Sequence, residues 1–317
     1  MPLQSSFIHK LLILITCCLL LFSGCERKPE APQQAKLRVV TTIFPIYDFA
    51  RVVGGEQVEV IQLLTPGVEP HNFEPTPETI ITLSKADLFI FSGSEMEPWA
   101  EKLAAGVVRN GKPVMVVAGK GARYISPAEN PDHDEHEGHN HGKDPHIWLD
   151  FDNAAMMVDR ITDSFGAVAP VLADRFKSNA AAYRAKLKSL GSRFTAGPAD
   201  CQSRQFVHGG HYAFAYLAER YKLSYSSAFG MTADSEPSSA KLAGLVKTIR
   251  EKRLKYVFYE ELLSPRTAET VAAETGAELL KLHGVHNITR KELESGATYL
   301  SLMEQNLDTL RKGLVCR

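Results

Sequence analysis

The sequence lacks an excess of either charge, a phosphate-binding loop and an apolar run long enough to cross a bilayer comfortably. Its 36 basic residues balance 37 acidic ones, which removes the electrostatic basis for nucleic-acid binding. The pattern GxxxxGK[ST] is absent, so no P-loop nucleotide site is expected. The HExxH pattern, which places two zinc ligands and a catalytic base on one helix, is absent as well.

The N-terminus has the pattern of an export signal. The apolar run from Leu11 to Phe22 is about a dozen residues long, which is typical of a secretory signal and short for a membrane span. Phe22-Ser23-Gly24-Cys25 resembles the lipobox of bacterial lipoproteins, in which the cysteine becomes the acylated N-terminus. We therefore expect a signal peptide over 1–24 and a lipidated, flexible polar tether over 25–36. An ordinary signal peptide that leaves Cys25 as a spare thiol is the alternative.

Cysteine is scarce in the rest of the chain. Only Cys201 and Cys316 can form an internal disulfide in the mature protein, and the oxidising compartment outside the cytoplasm favours such a bond. The sequence leaves open whether their Cα atoms lie close enough.

Strand-like apolar runs alternate with helical patterns in two separate regions. Such alternation is typical of parallel sheets that helices cover on both faces. We therefore predict an α/β fold with two lobes, each with a mostly parallel sheet, over 37–165 and 198–317. Between them, 166–197 has helical periodicity without strand signals and is predicted to form a long linking helix. Ligands in such sheets bind beyond the carboxyl ends of the strands, which places the expected site in the cleft between the lobes.

Three local patterns predict where helices begin. Thr76 before a proline is typical of an N-cap. His211 is predicted to begin an amphipathic helix. Thr289 and Glu292 have the spacing of a capping box, and the apolar periodicity that follows predicts one last helix extending to Leu314.

A histidine-rich loop is predicted over 129–145, within the first lobe. Tracts of this composition are typical of metal binding, although a solvated polar loop is the competing interpretation. Its glycines and like-charged neighbours argue against a stiff, closed site, so we expect accessory and labile binding. The four clustered histidines are His133, His136, His139 and His141.

Further histidines occur at predicted carboxyl ends of strands in both halves. His71 lies in a loop rich in proline and glycine, His146 enters an apolar stretch, and His211 follows two glycines. Each of them alone could be a solvated or structural histidine, but their number favours a metal site. Nitrogen ligands suit zinc, whereas manganese, magnesium and calcium favour oxygen. Other candidates in similar places are His208, Glu260, Glu261, His283 and His286.

The chain resembles the metal-binding receptor proteins of ABC importers for zinc and manganese. The resemblance covers nearly the whole mature chain and implies two α/β lobes joined by a long rigid helix, with the metal between them. Its ordered motifs are the signal with its cysteine, PGVEPHNFEPTP, the histidine-rich insert before DPHIWLD, GGHYAFAYLAERY and YVFYEELLSPRTAETVAAETGAELL.

The resemblance also implies a set of ligands. His71 matches the first-lobe histidine, His146 the histidine after the insert, and His211 the residue that is histidine in zinc-type members and glutamate in manganese-type ones. The fourth position is usually an aspartate after the penultimate strand, or is taken by water or a nearby glutamate. We assign it to His283, and His286, Glu260, Glu261 and water remain as alternatives. This set favours Zn²⁺ over Mn²⁺.

The expected function is that of an extracytoplasmic receptor. It would be a monomer, held at the membrane by its acyl anchor, that captures Zn²⁺ and delivers it to the permease subunit of an ABC importer, without enzymatic activity. A zinc-dependent hydrolase with Glu260 or Glu261 as general base is the alternative from another class. A surface adhesin or metal buffer is a third.

Overall fold

The structure is a computed structural model that describes residues 36–126, 142–231 and 237–317. The predicted signal peptide and the lipidation candidate Cys25 lie outside the described residues. So do the four clustered histidines, His133, His136, His139 and His141.

The first lobe contains a parallel sheet of four strands in the order β2-β1-β3-β4. Every residue of β3 is buried, as expected for a strand covered on both faces. The strands are β1 (Leu37–Thr41), β2 (Val58–Gln62), β3 (Leu88–Phe91) and β4 (Val114–Val117). The helices of this region are α1 (Phe44–Gly54), α2 (Pro77–Ser84) and α3 (Ala100–Val107).

The second lobe repeats this arrangement with a parallel sheet in the order β6-β5-β7-β8. The prediction of two lobes with parallel sheets is confirmed. The strands are β5 (Gln205–His208), β6 (Ser224–Ser227), β7 (Tyr256–Tyr259) and β8 (Glu278–Lys281). Two further helices, α4 (Phe151–Val168) and α5 (Ala173–Ala196), lie between the two sheets in chain order. The second lobe then has α6 (Ala215–Arg220), α7 (Ser239–Lys252), α8 (Arg266–Thr275), α9 (Arg290–Glu294) and α10 (Tyr299–Gly313).

Two helices connect the sheets, α4 (Phe151–Val168) and the 24-residue α5 (Ala173–Ala196). The long helix α5 lies inside the segment 166–197 in which the sequence predicts it. Its buried residues recur every three or four positions, which is the spacing of one helix face. They are Phe176, Ala180, Tyr183, Leu187, Leu190 and Phe194. Across the described ranges, no helix combines the length and apolar character needed to cross a membrane.

The two lobes share one apolar core, whose buried residues come from both sheets and from α4 and α5. Polar contacts cross it as well. Asp48 on α1 accepts a hydrogen bond from the backbone N–H of Tyr299 at 3.0 Å, and the Tyr299 hydroxyl donates to the carbonyl of Trp148 at 2.6 Å. The structure also joins Cys201 to Cys316 by a disulfide, which links the beginning and the end of the second lobe.

Local predictions of helix starts had mixed outcomes. The start after Thr76 is confirmed, with a capping box to Thr79. The single last helix from Thr289 to Leu314 is wrong, because α9 ends at Glu294 and α10 begins at Tyr299. Gly296 separates them with a φ of 74°, a left-handed conformation that a helix does not contain.

The predicted helix start at His211 is also wrong, since α6 begins only at Ala215. The backbone N–H of Tyr212 donates to the carbonyl of Gly230 at 2.7 Å, and that of Ala213 donates to the Tyr225 hydroxyl at 3.2 Å. The carbonyl of His211, which in a helix would accept from the N–H four residues on, accepts instead from the Tyr225 hydroxyl at 3.1 Å and from the N–H of Ala213 at 3.0 Å, so His211 lies before the helix.

Candidate metal centre

Three histidine side chains meet where the two lobes face each other. Nε2 of His146 lies 3.4 Å from Nε2 of His71 and 3.1 Å from Nε2 of His211. Among the described residues, these three form a group whose ligand atoms all lie within 4.8 Å of one another. His71 comes from the first lobe, His146 from the segment leading into α4, and His211 from the second lobe. The fold therefore brings together three of the four predicted ligands.

His71 and His146 share a local pattern in which an acidic residue and a proline precede the histidine. Asp144 accepts a hydrogen bond from the backbone N–H of His146 at 2.9 Å, and Glu69 accepts one from that of His71 at 3.3 Å. The proline between them fixes φ, so each histidine is held in a short turn. Glu69 and Asp144 were not among the residues predicted for the site, although the repeated spacing of acid, proline and histidine could have revealed them.

Carboxylates orient two of the imidazoles from the side away from the cluster. An oxygen of Asp144 lies 2.8 Å from Nδ1 of His146, and one of Glu260 lies 2.5 Å from Nδ1 of His211. A carboxylate at Nδ1 favours the tautomer that carries its proton there, which leaves the Nε2 lone pair available to a metal.

The imidazole of His146 is neutral in this environment. Burial lowers its pKa well below the usual value, and the neighbouring imidazoles of His211, His71 and His286 lower the pKa further. Neutral imidazole is the form that binds a metal ion, so no proton has to be removed from His146 first.

The glycine pair Gly209-Gly210 allows Glu260 to reach His211. A Cβ atom on Gly210 would collide with the Glu260 carboxylate and lie 2.6 Å from the ring of His208. Without it, Glu260 also accepts a hydrogen bond from the backbone N–H of His211 at 2.9 Å. The neighbouring acidic residue, Glu261, instead accepts a hydrogen bond from the backbone N–H of Gly284 at 3.0 Å.

His286 lies beside the three clustered histidines, although sequence analysis preferred His283. Its ring centroid is 5.5 Å from that of His211, within the 5.0 to 5.8 Å that separate the rings of the cluster. It is completely buried, and its Nδ1 has no hydrogen-bond partner in the part of the chain that the structure describes. Its Nε2 faces a carboxylate oxygen of Glu69 at 3.4 Å.

His283 lies outside this cluster and faces two other carboxylates. Its Nδ1 is 3.1 Å from Glu261, and its Nε2 is 3.4 Å from Glu292. Asn306 on α10 holds its backbone by accepting from the N–H and donating to the carbonyl, both at 2.8 Å. Val285 follows with a φ of 61°, so the chain changes direction between His283 and His286.

His208 supports the glycine turn. Its Nδ1 accepts from the backbone N–H of Gly210 at 3.2 Å, and its ring packs against Phe214 with centroids 5.0 Å apart. Burial lowers its pKa to about 4, so it is neutral at physiological pH.

The spacing of His146 Nε2 from the other two Nε2 atoms fits a tetrahedral ion. Zinc bound to imidazole at about 2.0–2.1 Å in tetrahedral geometry holds its ligand nitrogens roughly 3.3 Å apart. The separations of His146 Nε2 from the Nε2 atoms of His211 and His71, 3.1 and 3.4 Å, lie on either side of that value. The cluster can therefore accept such an ion with little rearrangement.

Comparison with known families matches residues 39–313 to the model described as ZnuA, zinc-uptake complex component A, periplasmic. The chain belongs to the ZnuA family. Members of this family are periplasmic components of an uptake complex. This confirms the prediction of a receptor rather than a hydrolase and agrees with the expected compartment outside the cytoplasm.

Relatives of the ZnuA family cover most of the chain. It is 34% identical over 317 residues to the high-affinity zinc uptake system protein ZnuA of Bacillus subtilis (strain 168), which covers 96% of this chain and 98% of that protein. It is 34% identical over 305 residues to the zinc-binding lipoprotein AdcA of Streptococcus pneumoniae (strain ATCC BAA-255 / R6), covering 95% of this chain. The matches span only 56 to 60% of the AdcA relatives.

A solved structure extends the similarity to the fold. The Zn(II)-bound ZnuA-like domain of Streptococcus pneumoniae AdcA superimposes with a TM-score of 0.73 at 32% identity, covering 88% of this chain and 99% of that domain.

Proposed function

We propose that this protein captures Zn²⁺ outside the cytoplasm and delivers it to the permease subunit of an ABC importer. His71, His146 and His211 bind the ion through their Nε2 atoms. The observation that carries the proposal is the convergence of these three nitrogens, one pair 3.4 Å and another 3.1 Å apart. The bound metal is the cargo of the protein, so no chemical step is required of the site.

The chemistry of the donors supports zinc over manganese. Imidazole nitrogens point into the cluster, while the carboxylates of Asp144 and Glu260 face the Nδ1 atoms of His146 and His211. Manganese favours oxygen ligands, whereas zinc readily accepts a shell of imidazoles. Carboxylates at the second ring nitrogen also make the imidazoles more basic and fix their orientation.

For the fourth ligand we propose His286 in place of His283. Its ring lies at the same spacing from His211 as the rings of the cluster, and its buried Nδ1 has no hydrogen-bond partner among the described residues. The nitrogens of His283 face Glu261 and Glu292 instead. A fourth imidazole would complete a closed tetrahedral shell.

The remaining parts of the proposal concern attachment and delivery. We propose that Cys25 is lipidated, as the lipobox-like sequence predicts and the name of the Streptococcus pneumoniae relative supports. The receptor acts as a monomer that docks on the permease. The histidine-rich loop is proposed to collect additional zinc with weak, labile binding, so deleting residues 132–142 should lower the zinc stoichiometry measured by calorimetry while the tight site persists. Loss of the tight site on that deletion would contradict the proposed ligands.

Competitive titration of the purified protein tests the ligand set. The protein competes for zinc with a chromogenic chelator. Alanine at His71, His146 or His211 should weaken zinc binding by roughly a thousandfold, because each substitution removes one direct metal–nitrogen bond and leaves a buried cavity. His286→Ala, at the proposed fourth position, should also weaken binding by roughly a thousandfold, since it too removes a direct metal–nitrogen bond. His283→Ala is the matched control, because it removes a buried histidine of the same loop.

Two outcomes would change the assignment. Loss of tight binding in His283→Ala with normal binding in His286→Ala would return the fourth position to His283. Normal binding in all of the alanine variants would reject the site. In cells, loss of the gene should impair growth under zinc chelation and added zinc should restore it, in a strain without a second importer.

A further inference from the structure

Two loops that carry metal-binding residues meet across the lobes at a single buried asparagine. The first loop, residues 62–71, leads from β2 to His71. The second loop, residues 282–289, contains His286 and then Asn287, whose side chain is completely buried. Asparagine is polar, so full burial requires that the fold supply partners for its amide.

The amide of Asn287 uses its full capacity for hydrogen bonds. Its Nδ2 donates to the carbonyls of Thr65 at 2.9 Å and Val68 at 2.8 Å. Its Oδ1 accepts from Nε2 of Gln62 at 2.9 Å and from the backbone N–H of Ile288 at 2.9 Å. Two donors and two lone pairs are all that a side-chain amide has. Three of the four bonds cross from the second lobe to the first loop.

Backbone hydrogen bonds strengthen the same junction. The N–H of Gly67 donates to the carbonyl of Ile288 at 2.9 Å, and the N–H of Phe44 donates to the carbonyl of His286 at 3.0 Å. The second loop is therefore attached to the first lobe on both sides of Asn287. Glu69, which contacts both the His71 backbone and the His286 ring, lies one residue beyond the bonded carbonyl of Val68.

We propose that Asn287 is a positioning residue of the metal site, which fixes the loop leading to His71 against the loop carrying His286. This inference rests on the proposed function and deepens it. A preassembled pair of ligands from both lobes avoids the entropy cost of ordering two loops when the ion binds. The same attachment opposes separation of the loops and so slows the release of the ion.

The test compares Asn287→Ala with Asn153→Ala in the full mature chain. Asn153 is a matched control, because it is also buried and bonds the backbone N–H and carbonyl of Arg123 at 2.9 Å, outside the two loops. Zinc dissociation is followed by stopped flow with excess chromogenic chelator. Cobalt, loaded separately, reports ligand geometry through its visible absorption, and denaturant unfolding without metal reports stability.

We expect Asn287→Ala to raise the zinc dissociation rate by about tenfold or more, since three hydrogen bonds between the loops are lost. The cobalt spectrum should change as well. Asn153→Ala should lose stability but keep the wild-type rate and spectrum. Gln62→Ala removes one of the three bonds and should raise the rate by about threefold. If Asn287→Ala does not fold, the zinc dissociation rate of Gln62→Ala tests the proposed role of Asn287 in its place.

Wild-type dissociation rates and spectra in Asn287→Ala, with stability lost as in Asn153→Ala, would make Asn287 merely structural and overturn the inference. The same holds for a wild-type rate in Gln62→Ala if that variant alone folds. Absence of tight zinc binding in the wild-type protein would instead reject the proposed function itself.

Discussion

The two lobes place a buried glutamate at the same topological position and use it differently. Glu97 follows β3 of the first sheet and Glu260 follows β7 of the second, and these strands occupy the same place in the two strand orders. Each glutamate reaches the segment after the neighbouring strand. Glu97 accepts from the hydroxyl of Thr42, which follows β1, whereas Glu260 contacts His211, which follows β5.

The partners decide the charge of each carboxyl. Burial raises the pKa of Glu97 to about 7, because hydrogen bonds from Thr42, Gly93 and Ser92 offset only part of the cost of burying a charge. Burial acts on Glu260 in the same direction, but nearby imidazoles, foremost that of His211, lower its pKa to about 2. The second-lobe carboxylate is thus charged and oriented toward a candidate ligand, whereas the first-lobe carboxyl secures a loop.

Two lobes of the same fold can thus differ in function, because only one of two equivalent buried glutamates contacts a histidine of the candidate metal site. Equivalent strand ends provide equivalent places for a buried acid, and a single histidine beside one of them converts a structural contact into support for a candidate metal ligand. The lobes should therefore respond differently to the same substitution.

A covalent difference between the lobes gives the largest expected effect on stability. The disulfide between Cys201 and Cys316 joins residues 115 positions apart, whereas the sequence of the first lobe contains no cysteine. Replacing both cysteines with serine should lower the free energy of unfolding by about 4 kcal/mol, as expected for a crosslink over this separation. Denaturant titration under oxidising conditions measures it.

Zinc affinity should stay within about threefold of the wild type in that double variant, because Cys201 lies before β5, whereas His211 lies beyond its carboxyl end. A large loss of affinity would show that the two ends of the second lobe are coupled.

Stability should depend on pH through Glu97. Its folded pKa of about 7 lies above the value of 4.5 expected when unfolded, so between these values the folded state binds more protons. The stabilisation that protonated Glu97 gives the folded state is complete below pH 4.5 and is lost as the pH rises through 7. The difference in unfolding free energy between the wild type and Glu97→Gln should change by about 3 kcal/mol over this window, measured without metal. A difference that does not vary with pH would contradict this assignment.

The matched substitution Glu260→Gln should give the smallest effect, and one specific to the metal. Glutamine cannot accept hydrogen bonds at both positions now bonded to His211, so zinc affinity should fall by about tenfold to a hundredfold. Glu97→Gln should leave the affinity unchanged. Equal losses in the two variants, measured by chelator competition, would remove the distinction between the lobes.

The sequence was sufficient for the fold and for three residues of the candidate site. Apolar strands alternating with helices predict two parallel sheets, and histidines near strand ends predict a metal site in the cleft, because both signals are local and repeat along the chain. The resemblance to metal receptors then selects His71, His146 and His211 among the candidates. The predicted linking helix was similarly evident from its periodicity.

The choice between His283 and His286 could not be made locally. Both belong to the short segment LHGVHN, and which ring faces the cluster depends on the left-handed Val285 and on Asn306, which holds the His283 backbone from α10. A non-glycine residue with positive φ and a contact 23 positions away leave no periodic signal. The turn at His211 likewise depends on Gly230 and Tyr225, which lie beyond its own segment.

The Gly209-Gly210 pair makes part of this protein's sequence intolerant of variation. A methyl group at Gly209 would collide with Ala268, and one at Gly210 with the Glu260 carboxylate, so even alanine requires a compensating change elsewhere. In a library of all single substitutions selected for growth on scarce zinc, both positions should retain only glycine. Selection would keep glycine at both positions because neighbouring side chains occupy the space that a Cβ atom would need. Neither glycine has a side chain that could bind the metal.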